Sequence, residues 1–188
     1  MAEVENLLSM LFQTQRAPLG GLGHRDLTYN QMVEDKIADT TVNKFLQTLE
    51  MFKDLRQDLN ASLDPNSCCV NGYHTGNILN FKSTHEVVNE ILHKIPYENC
   101  ILHHVHLMHF YKSGYEKAHN HKATEDFSFI LYLSDSEDGN TCFQLGEDTH
   151  KVKPERGKII FFDSHILHWG EPSSGNKKLA VGALSKIK

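Results

Sequence analysis

Ala118-His119-Asn120-His121 is followed, 47 residues after its second histidine, by His168. On a strand, residues i and i+2 share a face, so His119 and His121 present two imidazoles to one ion while Asn120 points away. A third ligand so far along the chain suits a sheet rolled until remote strands face each other, and not the short paired loops of a zinc finger. The spacing therefore predicts a metal centre of His119, His121 and His168 on a curled sheet.

Working outward, runs rich in Ile, Leu, Phe and Val at 100–111, 127–133, 141–145, 159–162 and 178–184 alternate with clusters of Gly, Asp, Asn, Ser and Pro. That is the pattern of an all-β sandwich or barrel. Phe127–Leu133 is apolar on both faces, so its outer face must be covered. The covering helices are expected before residue 100. Ala2–Gln13 carries Val4, Leu7, Leu8 and Leu11 at helical spacing, and Thr40–Leu59 carries Val42, Phe45, Leu46, Leu49, Phe52 and Leu55. Ser83-Thr84-His85-Glu86 reads as a capping box opening a helix that runs to Lys94 and is stopped by Pro96. The glycines of 17–23 lack the Lys-Ser/Thr of a phosphate-binding loop and predict only a turn.

Composition narrows the class. With 188 residues, 39% hydrophobic and 23% charged, the chain can bury a core without staples and reads as one domain, 1–99 mostly helical flank and 100–188 β core. A net charge of -5 speaks against a general nucleic-acid binder, which needs a basic face. The four cysteines, Cys68, Cys69, Cys100 and Cys142, follow no finger or disulfide-framework spacing, and no signal or membrane-length apolar run is present. The expectation is a cytoplasmic protein with reduced thiols and no membrane partner.

The order of motifs carries a further reading. Tyr111-Lys112-Ser113-Gly114, His119-Asn120-His121, Phe127–Leu133, Gly139-Asn140-Thr141-Cys142-Phe143, Gly157–Phe162, His168-Trp169-Gly170-Glu171-Pro172 and Lys177-Lys178 follow one another. This arrangement, over roughly residues 108 to 184, resembles the iron(II)/2-oxoglutarate-dependent oxygenases, closest to their prolyl-hydroxylase-like branch. It departs from the family pattern at His121, where the usual ligand is a carboxylate. Asp126 or Glu125 in the following loop is the alternative source of one. The resemblance implies a mainly β fold with flanking helices, a double-stranded β-helix (jelly-roll, cupin-like).

By the same resemblance the metal is Fe(II), the co-substrate is 2-oxoglutarate, and the reaction with dioxygen is a hydroxylation. The substrate class it implies is a prolyl residue of a protein or peptide, a small molecule being the other kind. Tyr111 and Tyr132 fall at positions that would contact the co-substrate. A lysine just beyond the distal histidine would pair with its far carboxylate. Lys178 shares a face with Ala180 and Gly182, Lys177 with Leu179 and Val181. Small neighbours leave room for an acid, which selects Lys178, with Lys177 as the fallback. Against the enzyme stands a different class, a cupin-like metal-binding protein that holds an ion on three histidines and turns nothing over.

Overall fold

The computed structural model describes residues 32–52, 57–59 and 68–187. The expected helix at Ala2–Gln13 and the loop at 17–23 lie outside the described residues. In chain order come β1 (Val33–Lys36), α1 (Asp39–Met51), β2 (Gln57–Leu59), β3 (Cys69–His74), two single 3₁₀ turns, α2 (His85–Lys94), β4 (Cys100–His119), β5 (Phe127–Tyr132), β6 (Thr141–Leu145), β7 (Asp148–Val152), β8 (Lys158–Asp163), β9 (His168–Gly170) and β10 (Lys177–Lys186). All strand pairs are antiparallel, in the order β1-β8-β5-β10-β4-β9-β6-β7, with β3 added to β4 and β2 to β3. This is the jelly-roll of the expectation.

The curl rests on β4. Its first half, Cys100–Phe110, pairs with β10 and, at Met108–Phe110, with β3 on its other edge, while its second half pairs with β3 at Tyr115 and Glu116 and with β9 in place of β10. One strand therefore crosses from the larger sheet into the smaller. The bend falls at Ser113, whose φ is 65°, and at Gly114, where a Cβ would stand 2.5 Å from the Asn71 carbonyl. Only glycine lets the two backbones approach so closely there.

Strand alternation builds two apolar layers. Phe129 and Leu131 of β5 pack outward with Leu107, Ala180 and Leu184 beneath Val42, Phe45 and Leu49 of α1 and Val88 and Ile91 of α2. Ile130 and Tyr132 point the other way, into the roll, with Met108, Phe110, Phe143, Ile160, Phe162 and Leu179. Both faces of β5 are thus dry, as its sequence requires. Each such side chain contributes roughly 1.5–3 kcal/mol by leaving water.

Two local expectations are corrected. The first helix stops at Met51 rather than Leu59, because Gln57–Leu59 pairs with Gly72–His74 and gives its backbone to a sheet. The capping box does not form: Lys82–Thr84 is a 3₁₀ turn, and the Thr84 hydroxyl donates to the carbonyls of Ile78 and Phe81, at 2.5 and 2.7 Å. The helical flank also contains the short strands β1, β2 and β3. Among the described residues no helix is long and apolar enough to cross a membrane.

Candidate metal centre

His119 is the last residue of β4 and lies directly opposite His168 of β9, which in turn faces Phe143 of β6. Cross-strand neighbours are close by construction, and the two imidazole centroids are 4.3 Å apart. His121 stands two residues past the end of β4, in chain pinned to the end of β8 by its N–H on the Ser164 carbonyl at 2.9 Å. Its ring lies 4.8 Å from that of His119 and 5.3 Å from that of His168. One ligand nitrogen from each of the three falls within 4.8 Å of the others.

The outer ring nitrogens are already engaged. His119 Nδ1 donates to the Lys117 carbonyl at 2.7 Å and His168 Nδ1 to the Ile166 carbonyl at 3.0 Å, which leaves both Nε2 atoms facing inward. Burial, with His119 and His121 alongside, pushes His168 down to about 3. Burial and His119 lower His121 to about 4. Both rings are neutral at pH 7, the form that binds a metal.

The loop carboxylates do not join them. Glu125 accepts from the Ser128 hydroxyl at 2.5 Å, and Asp126 accepts from the Lys186 N–H at 2.8 Å. The acidic group that does approach is Glu116, which the sequence reading missed. On the β4–β9 ladder Glu116 pairs with Gly170 and His119 with His168, three residues against two. That bulge turns Glu116 onto the face of His119, with Oε1 3.6 Å from His119 Nε2. Cys68 and Cys69 Sγ each lie 3.6 Å from the same oxygen.

Of the two candidate lysines it is Lys177, the fallback, that is buried, and its side chain enters the roll over the Phe110 ring at 5.4 Å. Its Nζ donates to the Gly139 carbonyl at 2.9 Å and forms no ion pair within 4 Å among the described residues. Burial draws its pKa below the ordinary lysine value, with Glu116 the first of the charges pulling back. The parity of β10 was read correctly but the inner face was not. A Cβ on Gly182 would lie 2.3 Å from Phe129, so the space beside the small residues is filled by the outer core.

Tyr132 shares the inner face through its pairing with Leu179, and its buried hydroxyl lacks a well-formed hydrogen bond among the described residues. Tyr111 is exposed and packs on His109 and Tyr73, on the other face of β4 from Phe110. Within the histidine run, His104 Nε2 and His106 Nδ1 share a hydrogen bond of 2.8 Å. His106 is pushed well below its ordinary value by burial, and His121 is among the nearby rings that add to this. A cleft of about 400 Å³ runs between Tyr115–Ala118 and Trp169–Pro172. Glu116 and Gly170 line it, and none of the three histidines does.

Residues 98–183 match the sequence model of the 2OG-Fe(II) oxygenase superfamily. That stretch, just under half of the chain, carries the superfamily's pattern and marks the protein as a 2-oxoglutarate-dependent dioxygenase, with Fe(II) as metal and 2-oxoglutarate as co-substrate. No curated protein matches it in sequence. Solved structures share the fold. The viral collagen prolyl hydroxylase of Paramecium Bursaria Chlorella virus-1, in complex with 2OG, superposes with a TM-score of 0.64 at 19% identity, over 88% of this chain and 100% of that one. HygX of Streptomyces hygroscopicus, with nickel and 2-oxoglutarate bound, gives 0.63 at 11% identity over 84% of each. A Trichoplax adhaerens prolyl hydroxylase in complex with a hypoxia inducible factor peptide gives 0.64 at 10% identity, over 97% and 90%.

The residues of the dioxygenase suit these groups. Three imidazoles are acceptable donors to Fe(II), and a buried ammonium with an unsatisfied tyrosine hydroxyl on the same inner face is suited to a carboxylate. The alternative of a metal-binding protein without oxygenase chemistry loses its footing with the family match.

Proposed function

We propose that this dioxygenase hydroxylates a prolyl residue of a protein or peptide, using Fe(II) held by His119, His121 and His168 and 2-oxoglutarate anchored by Lys177. The carrying observation is the buried Lys177 ammonium, which has no ion pair among the described residues and is set on the same interior as the three imidazoles. Gly170 links the two: a Cβ there would lie 3.3 Å from Lys177 Nζ, and Gly170 is two residues along β9 from His168. Two strand residues span about 6.6 Å, a length suited to a five-carbon dicarboxylate reaching from the ion to the lysine.

When bound, Fe(II) supplies the redox chemistry that couples decarboxylation of 2-oxoglutarate by dioxygen to hydroxylation of a C–H bond. The protein's part is placement and exclusion of water. His119 and His168 are fixed by carbonyl contacts on their outer nitrogens, His121 by its backbone bond to Ser164. Phe143 and Phe162 wall His168 on its core side at 6.0 and 4.9 Å. The lysine and Tyr132 orient the acid so that its other end meets the histidines.

Two of the structural neighbours carry the prolyl part: one is a collagen prolyl hydroxylase and one a prolyl hydroxylase holding a peptide. HygX, also solved with hygromycin B, is the counterexample that makes a small-molecule substrate the competing outcome. Iron-loaded protein should release succinate from 2-oxoglutarate faster with proline-containing peptides than without, and mass spectrometry should show one added oxygen on proline. Succinate release that no prolyl peptide accelerates, while the metal and co-substrate bind, would defeat the prolyl assignment.

A further inference from the structure

The histidine triad gives a dipositive ion no anionic donor, and the two acidic residues of the neighbouring loop are committed to Ser128 and Lys186. We propose that Glu116 is a displaceable fourth protein ligand of this centre, bound to the resting ion and released when 2-oxoglutarate enters. The proposal rests on His119, His121 and His168 holding the ion.

Geometry supports it first. Donors about 2.1 Å from one ion stand about 3 Å apart when adjacent and about 4.2 Å apart when opposite. Glu116 Oε1 and His119 Nε2 are 3.6 Å apart, between those limits. The backbone supports it second. Three residues apart on a regular strand, Glu116 and His119 would face opposite ways, and the bulge against Gly170 and His168 cancels that. Gly170 opposite Glu116 keeps the space open, since a side chain there would stand 3.5 Å from Glu116 Cβ and 3.3 Å from Lys177 Nζ.

Displacement follows from counting positions. Three histidines on an octahedral ion leave three sites, and a chelating 2-oxoacid with dioxygen needs all of them. Glu116 can hold one only until the co-substrate claims it. Lys177, on which Glu116 is the first of the acting charges, then receives the far carboxylate of the co-substrate whose other end has displaced Glu116.

Co(II) serves as the probe, because its visible spectrum reports coordination and its binding is measured by calorimetry without turnover. Glu116→Gln should weaken Co(II) binding by about ten-fold, the scale of one charge-assisted contact, and alter the spectrum. Saturating 2-oxoglutarate should abolish both differences. Glu116→Ala, which has no oxygen to offer, should repeat the result, and thermal unfolding of the metal-free variants checks that they fold. Wild-type affinity and spectrum in both variants would overturn the proposal while leaving the triad intact. Cys68→Ala weakening Co(II) as much as Glu116→Gln, with His121→Ala harmless, would overturn it in favour of an ion on Cys68, Glu116 and His119, whose donor atoms also lie within 4.8 Å of one another. Undiminished binding in His121→Ala and His168→Ala alone would instead sink the triad on which it stands.

Discussion

Lys177 shows how much one side chain can decide, because a buried ammonium is expensive unless something negative joins it. It has one carbonyl, an aromatic face and no ion pair among the described residues. Lys177→Ala should therefore weaken 2-oxoglutarate by roughly ten- to a hundred-fold, the loss of one charge-assisted bond of about 1.5–3 kcal/mol. Lys178→Ala should leave it nearly unchanged. Titration of Mn(II)-loaded protein with 2-oxoglutarate measures both, and a larger loss for Lys178 would sink the inward assignment. Glu125 gives a second residue-scale test. Burial lifts its pKa to about 7, against the help of Ser128. The folded state thus holds a proton that the unfolded chain gives up near pH 4.5. Stability from this group is full below that pH and is lost as pH rises towards about 7. Glu125→Gln should raise the Tm at pH 8 and leave it unchanged near pH 4.5; an equal shift at both would refute the titration. His119, His121 and His168 were legible in the sequence because alternation and spacing suffice to bring them together. Glu116 was not, because a bulge leaves no mark in a strand-like run.

At the scale of elements, β10 shows why parity alone could not choose a face. Its alternation was readable, but both sides of the strand are dry, and smallness signals close packing as readily as an empty pocket. Gly182 decides the matter. A branched side chain there must enter the Phe129 ring, so Gly182→Val should cost about 1–3 kcal/mol or more by overpacking. Denaturant unfolding should show that loss while 2-oxoglutarate affinity in the folded fraction is kept. A stable variant with impaired co-substrate binding would restore the discarded reading. The turn before α2 offers a parallel test. Thr84→Ala should destabilise by about 1–2 kcal/mol, since its hydroxyl satisfies the Ile78 and Phe81 carbonyls in a buried setting, whereas Ser83→Ala should do little. The strands that were legible are the apolar ones, β4, β5, β6, β8 and β10. β7, exposed at four of five positions, and the three-residue β9 were not, because their pairing is set by partners and not by their own pattern.

Over the whole molecule, β4 ties the two sheets together, and an ion on the three histidines would complete the tie. His119 ends β4, His121 opens the loop anchored on the end of β8, and His168 begins β9. One ion on these three residues therefore joins segments nearly fifty positions apart in sequence. The helices close the other side, where Val42, Phe45, Val88 and Ile91 cover the outer face of the larger sheet without touching the centre. Metal binding should stabilise the entire roll. An ion that binds only the folded state, at a hundred times its Kd, adds about 2.7 kcal/mol. At about 2–4 °C per kcal/mol for a chain of this size, the Tm should rise by about 5–10 °C on adding Mn(II) and fall back with chelator. His168→Asn should lose that rise because it removes the ligand from β9, while Val88→Ala should lower the Tm with and without metal alike, by about 1–3 kcal/mol of lost packing. A metal-induced rise that survives His168→Asn undiminished would mean that the ion does not bridge β4 and β9, and that the sheets are held at this end by packing alone.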